Sequence, residues 1–444
     1  MRGPVDGSQV VVHPSGPLAG SVRAGGAKNS ALKLMAACLL AEGRHVLTNV
    51  PRITDVELMA EVLRALGAEV ERQERRGPED PGDLVVTVPA ELAPVAPMEL
   101  VARMRASIVV LGPLLARCGR AVVGMPGGDD FGERPIDLHL AGLSAMGARF
   151  ETAAEGGVAG VVPGGRLRGA QVCLAYPSHT VTDNLLMAAA LAEGTTVIEN
   201  AAREPEVQDL AAFLRAMGAV VRGVGTSRIE IRGVGELRPA CHRVVPDRVV
   251  TATLLAAVGM AGGEIRVEDG RLEHMTMLVR KLRAMGLEVE AEGSGLRAAA
   301  RRRLRSVDIS TLPYPGVATD YKPLLVAMLS VAEGVGIVTE NLFSGRFRYV
   351  EELRRMGAEV RIEGHHAVVH GVERLRGAQV RATDLRAGAA LVLAGLVAEG
   401  QTVVQGAQHI DRGYEDLAGK LRSLGARVWR ERAEGERVLA EAGW

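Results

Sequence analysis

Six times along this chain the phrase L-x-x-[LM]-G returns, ending at Gly67, Gly147, Gly218, Gly286, Gly357 and Gly425. Each copy has an upstream glycine partner: Gly43, Gly119, Gly194, Gly263, Gly334 and Gly400. Successive copies lie roughly 70 residues apart, longer than the common solenoid periods. One unit reads as an Ala/Leu-rich helix, a glycine stop, a strand, a second helix, a second glycine stop and another strand. In the third copy an apolar helix closes at Ala189 to Leu191, and Gly194 is expected as its left-handed cap. TTVIENA follows as a β-branched strand. VQDLAAFLRAMG then spaces its apolar residues as a helix does, with Asp209 and Arg215 outside the stripe, and Gly218 caps it before AVVRGV. Helix and strand alternating six times predict an α/β architecture with helices packed on sheets. Two groups of three units give two similar lobes; a solenoid of such long units would need polar end repeats that are absent.

Length supports that division, because 444 residues are too many for one compact core. Lys+Arg and Asp+Glu both number 53, so no global field attracts nucleic acid or an anionic membrane. Aromatic residues are only 3%, which argues against base-stacking platforms. Arg301-Arg302-Arg303-Leu304-Arg305 is accordingly read as a solvated edge strand. Cys38, Cys118, Cys173 and Cys241 lie far apart without metal-ligand spacing. They are expected to be buried reduced thiols of a cytoplasmic protein, with no metal site. The N-terminal MRGPVDGSQVVVHPSG has no apolar signal core. The longest apolar stretch, Ala387 to Ala398, is too short to span a bilayer and reads as a core helix. The tail beyond Gly425 reads as a last strand and a polar end without chemistry.

Five places stand out from the repeat. Gly25-Gly26-Ala27-Lys28-Asn29-Ser30 precedes the helix SALKLMAACLL. Glycines there let backbone N–H groups approach an anion and Lys28 adds charge, although an ordinary helix-entry turn has the same look. The GK[ST] order of a P-loop is absent. Arg105, in Met104-Arg105-Ala106-Ser107, enters an apolar run and gains meaning only beside other arginines. Pro126 to His139 combines glycines at 127, 128 and 132 with several acids, an arginine and a histidine. It is either a solvated acidic loop or a lid bearing an acid. Asp320, after Tyr314-Pro315-Gly316, is either the N-cap of KPLLVAMLSVA or a proton acceptor. Arg346, Arg386 and Arg412 each sit at a strand–helix junction next to a glycine or close to one. One such arginine suggests a surface ion pair; three at equivalent junctions suggest a convergent anion site.

GAKNSALKLMAACLLAEG, MRASIVVLGPL, PGGDDFGERPIDLH, AEGTTVIENAAREPEV, PYPGVATD, ENLFSGRFRYVEELRRMGA, ATDLRAGAALVLAGLVAEG and HIDRGYEDL, in that order, make the chain similar to the UDP-N-acetylglucosamine enolpyruvyl transferases over essentially its whole length. The resemblance implies a two-lobed inside-out α/β barrel of six βαβαββ-like units, three per lobe. Residues 26–244 would form the lobe carrying the lid, residues 1–25 and 245–444 the other, with the active site in the cleft between them. Lys28 and Asn29 resemble the pair that meets phosphoenolpyruvate and the sugar. Arg105, Arg134 and Arg412 resemble the family's phosphoenolpyruvate-contacting arginines, and Arg346 and Arg386 occupy the matching second cluster. Asp320 resembles the carboxylate at the acceptor hydroxyl. Leu342, together with Arg134, Pro135, Ile136, Asp137, Leu138 and the adjoining His139, matches uridine-nucleotide-binding positions. Asp129 stands where many members carry a lid cysteine, the thiol that the epoxide fosfomycin alkylates; other members carry Asp there.

Two stretches depart from the family pattern. The diphosphate-binding phrase, often PSVGATEN, is here Pro177 to Asn184, keeping Ser178 but introducing His179 and Thr180. Tyr321-Lys322 follows Asp320 where Met or Leu and then Gln are common. Both changes are expected to bring polar or bulky groups near the nucleotide.

The implied reaction moves the enolpyruvyl group of phosphoenolpyruvate onto the 3-hydroxyl of UDP-N-acetylglucosamine with release of phosphate, the first committed step of peptidoglycan synthesis, without cofactor or metal. Asp129 or a neighbouring acid would protonate the methylene carbon, Asp320 would take the hydroxyl proton, and Lys28 with the arginines would hold the anions. The alternatives are the shikimate-pathway transferase, against which GAKN and PGGDDFGERP argue, a paralogue acting on another uridine nucleotide, and a non-catalytic nucleotide-binding homologue.

Overall fold

The computed structural model describes residues 7–74, 82–128, 135–153, 156–343, 345–432 and 437–438. Asp129 and Arg134 lie outside the described residues. The chain divides into two compact units, one running from Gly26 to Val245 and the other taking the residues up to Gly25 and from Pro246 onward.

Helices come in pairs along the chain. In the Gly26–Val245 unit they are α1 (Lys28–Cys38) and α2 (Thr54–Ala65), α3 (Leu111–Cys118) and α4 (Asp137–Ala145), α5 (His179–Ala190) and α6 (Pro205–Ala216). In the other unit they are α7 (Arg248–Ala261) and α8 (Thr276–Met285), α9 (Lys322–Ser330) and α10 (Val350–Arg355), α11 (Leu385–Leu396) and α12 (Leu417–Ser423). The first helix of a pair is the inner one. Every residue of α9 and α11 is buried, and α1, α5 and α7 come close to that. A helix apolar on all sides has no solvent face to offer. The second helix is amphipathic: α8 turns Leu278, Val279, Leu282 and Met285 inward.

The repeated phrase is a helix terminus. In α6 the N–H of Gly218 bonds to the carbonyl of Arg215 at 3.0 Å, and the N–H of Ala219 to that of Leu214 at 2.9 Å. These two bonds define a Schellman cap, with Gly218 in the left-handed region at φ 107°. The same pair of bonds recurs after α2, α4, α8, α10 and α12, and all twelve glycines of the repeat have positive φ. The arginine inside the phrase adds a second tie. Arg64, Arg215, Arg283 and Arg354 each donate to the carbonyl of the residue six further on, in the strand that follows.

Each repeat builds one small mixed sheet with a constant pattern. Strand Thr195–Glu199 pairs parallel with Gln171–Cys173 and antiparallel with Arg228–Arg232, which pairs antiparallel with Val220–Arg222. Gly43–Thr48, Arg120–Val123, Gly263–Glu268, Val335–Thr339 and Thr402–Gln405 are central in the same way. Sequence-distant strands complete the ring in each unit. Cys241–Arg243 joins the sheet of Gly43–Thr48, and Leu18–Arg23 joins that of Gly263–Glu268. Strands such as Arg228–Arg232 alternate exposed and buried residues, so one sheet face meets the helices and the other meets water. Sheets outside and apolar helices inside are the inside-out α/β arrangement that the family resemblance implies; the repeat alone predicts helices packed on sheets. Each unit has its own apolar core, one drawn from Ala27 to Val244, the other from Val10 to Ala24 and Val249 to Val428. Among the described residues, no helix is long and apolar enough to cross a membrane.

Three expectations are corrected. The cap of α5 is Leu191, and Gly194 instead turns the chain into the strand at Thr195. Arg301 to Arg305 lie beyond strand Gly295–Ala300 rather than in an edge strand; Arg301 pairs with Glu264 and Glu288, while Arg303 donates to the carbonyls of Val331, Ala332 and Val372. Of the four free cysteines only Cys38 is buried, because Cys173 and Cys241 occupy outward positions on edge strands.

Candidate active site

In the Gly26–Val245 unit the head of α1 is built tightly. A Cβ on Gly26 would lie 1.7 Å from the carbonyl oxygen of Asn49, so only glycine fits there. Asn49 is itself left-handed, and its amide donates to the Val244 carbonyl at 2.9 Å. Ala27, the N-cap, donates its N–H to Val245 and brings no side-chain acceptor to the first turn of α1. Lys28 opens that turn, with its ammonium 2.7 Å from the buried carboxylate of Asp55 on α2. Asn29 beside it is half-buried. Asp209 on α6 braces the same place: it accepts from the Ser30 hydroxyl at 2.5 Å, His242 Nε2 at 2.8 Å and the Val245 N–H at 3.1 Å. The turn is therefore a helix entry, as its plain reading has it, and one that presents an ammonium held by a buried partner.

Arg105 sits at the start of the 3-10 turn Arg105–Val110 and donates to Pro126 and Pro135 carbonyls, at 3.5 and 2.9 Å. It thus ties both flanks of the stretch that contains Asp129 and Arg134. Beyond it, Pro135 and Asp137 are exposed, Leu138 is half-buried, and Ile136 and His139 are buried. His139 Nδ1 lies 3.0 Å from the side-chain nitrogen of Asn184, whose oxygen accepts from the Gly112 N–H at 2.7 Å. Burial, helped by the charges of Arg105 and His179, pushes the His139 pKa down to about 3, so its ring is neutral at pH 7.

Ser178 is the N-cap of α5 and His179 its first residue. The Nδ1 of His179 is 3.2 Å from the buried ammonium of Lys33, which lies 3.3 Å from the fully buried Asp183. Lys33 and Asp183 escaped the sequence reading, because a lysine inside an apolar helix looks like a surface residue until its partner is known.

In the other unit Asp320 joins the arginines. It lies in the turn Thr319–Tyr321, ahead of α9, and the cap of that helix is Tyr321, so Asp320 is not a capping residue. Its Oδ1 is 2.9 Å from Arg346 Nη1 and its Oδ2 3.5 Å from Arg386 Nε. Both arginines are buried, whereas Asp320 leaves 28% of its side chain exposed. Burial works against the charges of Arg346 and Arg386. Nearby acidic groups, with the Tyr414 hydroxyl beside Arg386, outweigh it and raise both pKa values. Arg386 also faces the Tyr414 ring at 5.1 Å, and Asp384 caps α11 beneath it. Arg412 is half-buried just after the turn Gln408–Asp411. Leu342 donates its N–H to Glu340 at 2.8 Å.

A family model for EPSP synthase (3-phosphoshikimate 1-carboxyvinyltransferase) matches residues 12–421. The UDP-N-acetylglucosamine 1-carboxyvinyltransferase of Nocardia farcinica is 50% identical over 413 residues, covering 93% of this chain and 96% of that protein. Its namesake from an Anaeromyxobacter species is 49% identical over 425 residues, covering 96% and 100%. This chain belongs to the UDP-N-acetylglucosamine 1-carboxyvinyltransferase family. Its fold matches the enolpyruvyl transferase NikO from Streptomyces tendae at TM-score 0.85 and 26% identity, over 96% of this chain and 99% of that one. EPSP synthase from Acinetobacter baumannii shares the fold at TM-score 0.72 and 20% identity, over 96% and 100%.

One departure from the family pattern proves to be internal. Tyr321 and Lys322 are both fully buried, so they do not project polar bulk outward. Tyr321 accepts from Arg248 Nη1 at 3.0 Å, and Lys322 pairs with Glu340 at 2.9 Å. Burial pushes the Lys322 ammonium down to about 8, against the pull of Glu340. Glu340 was invisible in the sequence because nothing in TENLF marks a buried acid. His179, by contrast, remains partly exposed.

Proposed function

We propose that this chain transfers the enolpyruvyl group of phosphoenolpyruvate to the 3-hydroxyl of UDP-N-acetylglucosamine, releasing phosphate, as a cytoplasmic enzyme at the first committed step of peptidoglycan synthesis. The observation that carries the reading is the Asp320 carboxylate, pinned by two buried arginines while 28% of its side chain stays exposed. In the addition step the sugar oxygen bonds to C2 of phosphoenolpyruvate and gives its proton to Asp320, while C3 takes a proton from Asp129 or a neighbouring acid. In the elimination step the C2–O bond to phosphate breaks and C3 returns a proton, restoring the methylene. Anionic substrate near Arg346 and Arg386 offsets their charge and so strengthens Asp320 as a base when it is needed. Lys28, Asn29, Arg105, Arg134 and Arg412 hold the phosphate and carboxylate, and Ser178, Leu342 and residues 134–139 meet the nucleotide. In this reading positioning and fixed charge supply most of the rate.

The test is phosphate release from phosphoenolpyruvate in the presence of UDP-N-acetylglucosamine, with other uridine nucleotides run in parallel. Release with UDP-N-acetylglucosamine is expected. Release only with a different uridine nucleotide would favour the paralogue reading, which the partly exposed His179 at the head of α5 supports. Nucleotide binding with no release in any mixture would favour a non-catalytic homologue.

A further inference from the structure

Lys322 and Glu340 form a fully buried ion pair, and the protein arranges four hydrogen-bond donors around that one carboxylate besides the ammonium. Its Oε1 accepts from the Thr311 hydroxyl at 2.8 Å, the Leu342 N–H at 2.8 Å and the Phe343 N–H at 3.2 Å. Its Oε2 accepts from the Thr319 hydroxyl at 2.8 Å and faces Lys322 Nζ at 2.9 Å. The far side of the ammonium lies 3.9 Å from the centre of the Phe347 ring. Removing two charges from water is costly and contributes little net stability, whereas a well-packed apolar pair of the same size would do as well or better. A pair kept in such a place acts through what it orients.

Thr319 supplies the answer. Its hydroxyl has a single proton, and that proton is spent on Glu340. The hydroxyl oxygen then accepts from Arg346 Nη1 at 3.1 Å, and the same nitrogen donates to Asp320 at 2.9 Å. A neutral group in place of the carboxylate would donate toward Thr319 and turn its proton toward a guanidinium that has donors only. We propose that Lys322 is a positioning residue for Asp320: its ammonium sustains the Glu340 carboxylate, which fixes the Thr319 hydroxyl and through it the Arg346–Asp320 contact. The same carboxylate fixes the backbone at Leu342. Lys322 itself is fully buried, so it acts through Glu340.

This inference rests on Asp320 being the proton acceptor, and the experiment separates the two. Steady-state kinetics with phosphoenolpyruvate and UDP-N-acetylglucosamine, thermal midpoints and a crystal structure are obtained for K322M, K322M/E340Q and T319V. K322M leaves a buried carboxylate without its cation and lowers the thermal midpoint. K322M/E340Q removes both charges and recovers the midpoint, because the amide oxygen still serves Thr311, Leu342 and Phe343. Its nitrogen now faces Thr319, so kcat stays roughly 10–10²-fold below wild type, the scale for a displaced catalytic group. T319V, nearly isosteric, is expected to fold normally and to lose kcat on the same scale, with the KM for phosphoenolpyruvate within about threefold of wild type in both. Wild-type kcat in K322M/E340Q or in T319V would make Lys322 a packing residue and overturn the proposal. An inactive wild type would sink the functional reading alone; the crystal structure of K322M/E340Q still decides this one, since an unchanged Arg346–Asp320 contact refutes the relay.

Discussion

Asp320 is held at two oxygens by side chains that water barely reaches, and this fixes what its replacement does. Asp320→Asn keeps the shape and removes the proton acceptor. Turnover should fall by roughly 10²–10⁴-fold, the usual contribution of one positioned base, with nucleotide affinity retained. Steady-state kinetics beside a binding titration check this, and wild-type turnover would leave Asp320 a structural residue. Lys28 poses a different problem, because its partner Asp55 is buried. Lys28→Ala should raise the KM for phosphoenolpyruvate and also destabilise the fold, since the buried Asp55 loses the Lys28 ammonium. Lys28→Ala/Asp55→Asn should regain the melting temperature and keep the raised KM; a KM that recovers with stability would remove Lys28 from the anion site. Asp129 yields a third outcome. A carboxylate is a far weaker nucleophile toward an epoxide than a thiolate, so the wild type should resist fosfomycin. Asp129→Cys should stay active and become sensitive. Intact mass after exposure reads the adduct, and an adduct on the wild type or none on the variant contradicts the assignment.

Helix ends and cross-braces carry the next level. Gly218 has open space around its missing Cβ and a φ of 107°, so Gly218→Ala meets backbone strain alone, roughly 1–2 kcal/mol. Gly26→Ala instead drives a Cβ against the Asn49 carbonyl and shifts the head of α1. Both variants should melt lower, but only Gly26→Ala should lose activity; a fully active Gly26→Ala protein would show that the geometry of this turn is irrelevant to Lys28. His139 links α4 to α5 through Asn184 and remains neutral to about pH 3. The unfolded chain takes up a proton at this histidine below about pH 6.5, while the folded chain refuses it until about 3. Its contribution is therefore complete above 6.5 and is lost as pH falls across that window. His139→Gln should flatten the loss of stability between pH 6.5 and 4 in denaturant titrations. An unchanged slope would mean that other groups govern acid unfolding.

For the molecule as a whole, the consequence lies in the two cores. Each unit closes its own ring of sheets around its own buried helices, and the N-terminal strands Ser8–Val12 and Leu18–Arg23 complete sheets built mainly from residues beyond 246. Chains with separate cores commonly depart from two-state unfolding. Calorimetry is expected to resolve more than one transition, with the calorimetric enthalpy exceeding the van't Hoff value. Equality of the two enthalpies over a single peak would mean that the chain unfolds as one cooperative body.

Read from the amino acids alone, the chain already declares its repeat, its α/β class and the ends of its helices. These depend on neighbours a few residues apart: the L-x-x-[LM]-G phrase places the accepting carbonyls, the left-handed glycine and the following apolar residue within one turn. Lys28, Asp320, Arg346 and Arg386 also stand out in the sequence as candidates, because each breaks the repeat beside a glycine or at a helix start. Their partners do not. Asp55, Asp183, Lys33 and Glu340 sit in stretches that follow the ordinary helical or strand pattern, and their local sequences fit solvent as well as core. Whether Asp320 capped a helix, or Lys322 reached toward a ligand, turned on which faces of separate elements met. That choice belongs to tertiary packing, since a buried charge is tolerated only where the fold delivers its counter-charge and hydrogen-bond donors to the same few ångströms.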